Sequence, residues 1–564
     1  MPARWIEASP PPAAGDLQGD GIPPVLAGLL AQRGCRDRAE AERFLEPTLD
    51  QLHAPDRLRG LPEAAERLAA ACREGARVAV VGDYDVDGVS ATALLAAVLG
   101  ATGAEPVPMI GRRHEEGYGF LSVHVERAAA AGAEILVAVD CGTNSHEAVA
   151  AARQRGLAVI VADHHLPEGP APEGAILINP RQPECDYPDP HLTGAGLALK
   201  LAVGLLERRG RSVPWEALLR IACLGTIADV APLVGENRVI AALGLRALAE
   251  ARSPGLRELM RLAEVRPPLR AVDVGFRLGP RLNAPGRLGQ ADAALELLLA
   301  REPARAREVA AELEARNRER QREEARVLAE ARAALEGEAG ESGILVAWGE
   351  GWTRGVVGIA AGRLARETGR PVVLLAVDGE LATGSGRSPA GIHLHDFLVG
   401  WRQRLERFGG HATAIGLTAR TQELEGLCRE WRVAARQWPA ALLEPELRYD
   451  AELPAAAIDD RLLEALERLE PFGHGNEEPV FRVRELRVGS APRRFGRGHA
   501  SVEVSIGGAR AEMVAWGRAE RAGELAGTLD ALVRVERDRF RGGLRLALVD
   551  ARPAGAPATL ESPR

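Results

Sequence analysis

RVAVVGDYDVDGVS, Arg77 to Ser90, runs from a short β-branched apolar segment directly into three aspartates and a glycine. A run of this length and composition predicts a buried strand of a parallel sheet, Arg77 to Val81. Asp83, Asp85 and Asp87 stand at alternate positions, which in an extended backbone turns three carboxylates to one side. Like charges so placed repel each other unless cations sit among them, although a solvated acidic turn would also carry this pattern. Gly88 allows the chain to turn, and Ser90 and Thr92 suit the cap of a following helix.

Three further clusters repeat the arrangement: VDCG at Val139 to Gly142, ADHH at Ala162 to His165 and TIADV at Thr226 to Val230. Each closes an apolar run, Ile135 to Val139, Leu157 to Val161 and Ile221 to Ile227, and is expected at a strand end. Polar residues at the carboxyl ends of parallel strands face a common crevice. Asp140 alone would suit a helix cap. Adjacent histidines do not easily share one ion, so His164 and His165 are expected to divide, one on metal and the other on substrate or behind the ligands. Asp229 interrupts an apolar run and needs a partner, which a cation supplies.

Several carboxylates with one or two histidines and no cysteine suit a hard or borderline ion, Mn²⁺ or Mg²⁺. Asp83, Asp85, Asp87, Asp140, His164 and Asp229 are more protein ligands than one such ion takes, so two ions are implied. Two ions about 3.5–4 Å apart activate a water and neutralise the leaving oxygen in phosphate-ester hydrolysis. No Walker A lysine motif is present, which counts against nucleotide-driven work.

The 564 residues are too many for one core, and three or four domains are expected. With 71 basic and 79 acidic residues and net charge −8, a globally basic nucleic-acid surface is excluded, and any such surface is local. Lys200 is the only lysine. The positive charge is otherwise guanidinium, which suits bidentate phosphate contacts and is equally a product of coding bias. Six scattered cysteines without a CxxC pair argue against zinc ribbons and disulfides and fit a reducing cytoplasm. No apolar run reaches the roughly 18 residues of a membrane span, and the first residues lack a signal-peptide core.

Five regions follow: 1–69, a proline-rich lead and helical segment; 70–230, alternating strands and helices of a parallel α/β sheet; 231–338, a helical connector; 339–445, a second α/β unit; and 446–564, short strands and a tail. The charged stretch from Pro303 to about Leu335 has only a thin apolar stripe (Val309, Leu313, Val327, Leu328) and reads as a long inter-lobe helix. Five short strands near the end suggest a small antiparallel barrel of OB type. GSGRS (Gly384 to Ser388) and FGGH (Phe408 to His411) read as glycine loops whose amides approach an anion, with Ser385, Arg387, Ser388 and His411 as further donors; ordinary turns would carry the same residues. Arg493, Arg494, Phe495 and Arg497, and then Arg537, Arg539, Phe540 and Arg541, interleave charge with an aromatic, as single-strand binding requires, though exposed hairpins also would.

Asp163 to His165, with its companion clusters in order, resembles the DHH phosphoesterase superfamily. Within it, GDYDVDG is similar to the RecJ family of single-strand-specific 5′ exonucleases. RRHEEGYGF (Arg112 to Phe120), GPRLNAPGRLG (Gly279 to Gly289), GSGRS, FGGHATAIGLT (Phe408 to Thr418) and LEPFGHGNEEPVF (Leu469 to Phe481) extend the resemblance over roughly residues 70 to 550. It implies a DHH lobe and a DHH-associated lobe joined by a long helix, plus the OB-like barrel. It further implies 5′-to-3′ degradation of single-stranded DNA to mononucleotides in recombination and repair, with His165 on the scissile phosphate. Arg113, aligned where the family carries its single arginine, would hold the terminal 5′-phosphate with Arg387 and Ser388, and Arg281 and Asn283 would line the strand's path. A monomeric enzyme is implied, partnered by single-strand-binding protein and a helicase. Two rivals share the superfamily: a phosphodiesterase of short oligonucleotides or cyclic dinucleotides, and a non-catalytic RecJ-like replication scaffold. The inter-lobe helix and barrel count against the first, the intact ligands against the second.

Overall fold

The computed structural model describes residues 3–8, 17, 19, 21–112, 116–117, 119–287, 292–336, 342–496, 498–506, 509–539 and 541–555. Arg113, Arg497 and Phe540 lie outside the described residues, as does most of the linker from Gly337. The chain divides into two compact units, Met1–Arg4 with Glu312–Leu447 and Trp5–Ala311 with Arg448–Arg564.

The larger unit contains a five-stranded all-parallel sheet in the order Glu105–Ile110, Arg77–Gly82, Ile135–Val139, Ala158–Ala162, Ala175–Ile178. The three central strands are rich in β-branched residues and buried on both faces, as crossover helices on either side demand. Helices Ser122–Ala130 and His146–Gln154 bury Val125, Ala128, Val149 and Ala152 against Val81, Leu136 and Val161 on one face. Helix Val86–Thr102 packs with Gly194–Arg208 and Trp215–Ala228. In register, Gly82 pairs with Ile110 and Val139, Val139 with Ala162, and Ala162 with Ile178. The strands therefore end in one row, and the residues that follow them include Asp83, Asp140, Asp163 and Asn179. The order reverses at the first strand, the switch point where sheets of this topology place their ligands.

Two expectations fail locally. Ile221 to Ile227 lies in the helix Trp215–Ala228, not in a strand, and Asp229 is that helix's C-cap. A short apolar run does not distinguish the two, whereas the 14-residue element buries Leu218, Leu219, Ala222, Cys223 and Thr226 at helical spacing. The strand at Arg77 ends at Gly82, and Asp85 is already the N-cap of helix Val86–Thr102, accepting from the amides of Asp87 and Gly88. The three aspartates thus converge through a strand, a turn and a helix rather than along one extended face. Asp85 takes the capping role expected of Ser90 and Thr92; Thr92 instead donates to the carbonyl of Gly88.

Helices Arg38–Leu45 and Leu61–Glu74 form where the lead was read as helical, preceded by Pro24–Gln32. Lys200 is buried within helix Gly194–Arg208, where it pairs with Glu236 and donates to the carbonyl of His53. Glu236 also accepts from the Tyr187 hydroxyl at 2.5 Å and the His53 amide at 2.7 Å. A buried ion pair persists only when its remaining hydrogen-bonding capacity is met in this way.

The connector is helical through Asp292–Leu299, and helix Pro303–Ala334 carries the chain into the second unit. There a five-stranded sheet runs Arg407–His411, Ala414–Arg420, Leu381–Arg387, Val372–Asp378, Leu345–Glu350, with only the last pair parallel. GSGRS and FGGH are strands here, not the expected loops. Their glycines answer to crowding: a Cβ at Gly384 would stand 2.1 Å from the carbonyl oxygen of Leu374, and one at Gly386 2.7 Å from side-chain atoms of Ile415 and Leu394.

The C-terminal strands order as Ala451–Glu452, Phe481–Arg487, Thr528–Arg537, Leu544–Pro553, Ala509–Ala515, His499–Ile506, Arg493–Phe495. Pairing is antiparallel except at Ala451–Phe481 and Met513–Leu546. A bridge between Val488 and Val504 joins the second strand to the sixth and closes the barrel. Its interior, including Phe481, Val502, Met513 and Leu546, shares one core with Leu26 and Leu30 of the N-terminal helices.

Candidate metal centre

All six expected ligands converge. Their donor atoms form two triads with no residue in common, Asp83, Asp85 and Asp140, and Asp87, His164 and Asp229, and a third group, Asp140, His164 and His165, overlaps both; each set lies within 4.8 Å. Nε2 of His164 stands 3.1 Å from Asp140 and 4.0 Å from Asp87, so the groups adjoin.

Each carboxylate is placed by local backbone chemistry. Both oxygens of Asp87 accept from the N-terminus of helix Gly194–Arg208, at 2.7 Å from the Gly194 amide and 2.9 Å from that of Ala195. An anion belongs at that helix end. Gly225 keeps the space clear, since a Cβ there would come within 2.3 Å of Asp87 Oδ1. Asp140 holds φ 60°, a left-handed conformation that aspartate tolerates better than most residues. Asp229 caps the C-terminal end of its helix, the wrong end for an anion.

The electrostatics are those of a site built to receive cations. Burial, then Asp87, Asp85 and Asp83, push the Asp140 carboxyl well above its usual range. Burial with Asp87 and Asp85 raises Asp229 to about 8, and burial with Asp87 raises Asp85. Burial lowers His164, which keeps its imidazole neutral and able to ligate. Carboxylate oxygens, three of the five aspartates buried and Asp229 open to solvent, with one neutral imidazole, are the donor set of Mn²⁺ or Mg²⁺, and the residues fit two such ions.

The two histidines divide as their adjacency suggests. His165 turns Nδ1 to Asp163 at 2.7 Å, and its side chain is the more exposed of the pair. Asp163 stands in neither of the two triads. It accepts from the amides of His164, His165 and Thr143. Asn179 adds a bond from Nδ2 to the His165 carbonyl. These supporting roles were not read from the sequence. The Thr193-Gly194-Ala195-Gly196 segment, a capping residue followed by glycines, is the one local signal that could have located the seat of Asp87.

Burial opposes a charge on His165, yet the Asp163 carboxylate holds its pKa up to about 9. Asp163→Asn is expected to bring that value down toward the ordinary histidine range in chelated protein, and to lower activity about 10- to 100-fold. Titration of the ring by NMR checks the first outcome; an unmoved pKa would remove Asp163 from this role.

The expected substrate residues fall in two places. In the larger unit, Asn283 accepts from the Val86 amide at 3.0 Å, so its side chain braces the metal loop. Arg281 donates to the carbonyls of Arg277 and Leu262. In the other unit, Ser385 and Arg387 share one face of strand Leu381–Arg387, toward Gly358 of helix Arg354–Thr368. Ser388 donates to the Ile392 carbonyl, and His411 lies in the same transverse row as Arg387 through Ala414. In the barrel, Arg493 and Arg541 pair with Glu512, Arg537 with Glu467 and Arg539 with Asp273, while Arg494 is exposed.

Comparison with known proteins agrees with this construction. The DHH family N-terminal domain model matches residues 77–226, the DHHA1 domain 341–433 and the RecJ OB domain 449–549. The single-stranded-DNA-specific exonuclease RecJ of Salmonella typhimurium is 36% identical over 517 residues, covering 86% of this chain and 88% of that protein. Its Escherichia coli counterpart is 35% identical over 487 residues, 82% and 83% of the two chains. The crystal structure of Thermus thermophilus RecJ in complex with Mn²⁺ superposes with a TM-score of 0.82 at 31% identity, covering 98% of this chain and 80% of that one; the Mg²⁺ complex gives 0.77 at 30% identity. From the metal-bearing sheet to the closing barrel, the chain belongs to the RecJ family of exonucleases.

Proposed function

We propose that this protein is a single-strand-specific DNA exonuclease that hydrolyses phosphodiester bonds at a two-ion centre. The separation of six ligands into two adjoining triads carries this reading: Asp83, Asp85 and Asp140 would hold one Mn²⁺ or Mg²⁺, and Asp87, His164 and Asp229 the other. Ions held this way supply an activated water and offset charge on the leaving oxygen. The chain's own part is placement. Helix N-terminal amides fix Asp87, the Asp85 cap fixes the first turn, and Asp163 orients His165, whose charged ring donates to an oxygen of the scissile phosphate.

Polarity from 5′ to 3′, with release of mononucleotides, assigns the terminal phosphate to Arg113, Arg387 and Ser388, with Ser385 and His411 as further anion donors. The shared face of Ser385 and Arg387 supports that assignment, and Arg281 is kept for the strand's path. The working division of the chain is 70–230 for the catalytic domain, 339–445 for the substrate-binding domain and 446–564 for the barrel and tail. The same reading places a monomeric enzyme in the cytoplasm, acting in recombination and repair beside single-strand-binding protein and a helicase. Incubating a 5′-phosphorylated oligonucleotide and its duplex with Mn²⁺ tests the function. Stepwise loss from the 5′ end of the single strand is expected; cleavage confined to dinucleotides, or none, overturns it.

A further inference from the structure

Beside the metal centre the chain leaves a large aromatic side chain in solvent. Phe276 is 74% exposed. It lies in a single π-helical turn, Val274–Leu278, whose end residues Val274 and Leu278 are fully buried. The turn is therefore anchored at both ends, and its outward ring is held in place. Single π turns within helices are frequent at functional sites.

The surroundings connect this ring to the ligands. Gly279, directly after the turn, packs against the end of the helix that presents Asp229: a Cβ there would lie 3.6 Å from that of Ala228. Helix Gly279–Arg287 then braces the other side of the centre, through Asn283 on the Val86 amide and Gly286 against the carbonyl of Tyr84. The π turn thus follows from an element wedged between the two ligand-bearing segments. In the opposite direction Asp273, buried just before the turn, pairs with Arg277 at 3.7 Å and with Arg539 of the barrel at 3.2 Å. Arg270 adds a third guanidinium, 4.0 Å from Glu470. Glu467 and Glu478 lie close enough to act on Glu470, so these guanidinia are largely balanced, and what they offer a phosphate is donor geometry rather than surplus charge.

We propose that Phe276 is a stacking shelf for a nucleobase of the single strand adjoining the metal centre. This rests on the exonuclease reading and adds a physical source for its strand preference. In a duplex each base face is already covered by its neighbours, whereas an unpaired base offers a face to an aromatic ring at any sequence. Val272 and Val230 are also exposed, but Phe276 is the aromatic among them; one ring offers a base a stacking face, while a protein interface needs several such anchors over a far larger area.

The test compares the wild type, Phe276→Ala and Phe276→Trp on a 5′-phosphorylated oligothymidine and on the same strand with abasic residues throughout its 5′ half. Affinity is measured by fluorescence anisotropy and cleavage as kcat/KM. Phe276→Ala is expected to weaken binding and kcat/KM about 5- to 150-fold on the base-bearing strand. It should change neither by more than about twofold on the abasic strand, a margin within the ordinary scatter of a surface substitution, and tryptophan should restore both. Equal loss on the two substrates, or no loss on either, overturns the shelf. An inactive wild type would overturn the enzymatic reading alone, because the anisotropy comparison still decides the shelf.

Discussion

Asp140→Asn is expected to lower single-strand cleavage by more than about 100-fold while making the metal-free protein more stable. Changes in residues that merely support metal ligands already cost about 10- to 100-fold, and Asp140 is the buried member of its triad nearest His164. Asparagine keeps the shape and accepts the φ of 60° at this position, so the backbone has no reason to move. It removes a negative charge from a site where burial and three neighbouring aspartates disfavour it. The pH dependence follows from the same displacement. Folded Asp140, Asp85 and Asp229 retain protons that the unfolded chain releases above about pH 4. Stability of the chelated wild type should therefore fall as pH rises from there to about 8, where Asp229 ionises. Urea melts in chelator at pH 5 and pH 8 should show a smaller fall for Asp140→Asn. Added Mn²⁺ at about 100 times its Kd should stabilise the wild type by about 2.7 kcal/mol and the variant by much less. Retained activity, or an unchanged pH slope, would remove Asp140 from the centre.

Arg238→Met is expected to destabilise the larger unit by about 3–5 kcal/mol without touching a ligand. Arg238 is buried in helix Gly235–Ala249 and donates to four backbone carbonyls, Phe44 at 2.7 Å, Leu469 at 2.9 Å, Glu470 at 3.0 Å and Arg468 at 3.5 Å. Its guanidinium lies 3.8 Å from the centroid of the Phe44 ring. Burial and the nearby Arg33 lower its pKa to about 9, so it is charged at neutral pH with no carboxylate partner among the described residues. Methionine fills comparable space but leaves those carbonyls without a donor. Lysine should fail to rescue, since one ammonium cannot reproduce the planar fork. A lower urea midpoint at unchanged m-value is the signature; a midpoint within about 0.5 kcal/mol of wild type, the range of an ordinary surface change, would contradict it. The contact also explains part of LEPFGHGNEEPVF, whose Leu469 and Glu470 carbonyls meet Arg238 and whose Asn476 accepts from Arg33 at 2.6 Å. That motif joins the barrel to the N-terminal helices and the catalytic domain.

The clustering of Asp83, Asp85, Asp87, Asp140, His164 and Asp229 was legible because charge at the end of an apolar run has few physical explanations, and the fold class followed from those runs. What stayed hidden depended on partners far apart in the chain. The part played by Asp163 was not visible, because it depends on the amides of Thr143, His164 and His165 and the His165 ring meeting its oxygens. That Asn283 also holds the Val86 amide could not be read from either residue alone. The glycines of GSGRS promise a loop, because a sequence cannot show that Leu374 and Ile415 leave no room for a Cβ. Phe276 carries no local signal, since its exposure follows from how a π turn meets the end of a neighbouring helix.

The burial of Lys200 has a practical consequence for handling this enzyme. The folded chain presents no lysine amine to solvent, so N-hydroxysuccinimide dyes, amine cross-linkers and lysine acetylation find no side-chain target. Its surface cations are arginines, which neither titrate nor acylate under the conditions that neutralise lysine. Of its six cysteines, all free, Cys185 alone is not buried, and a thiol-directed probe would report from that single position.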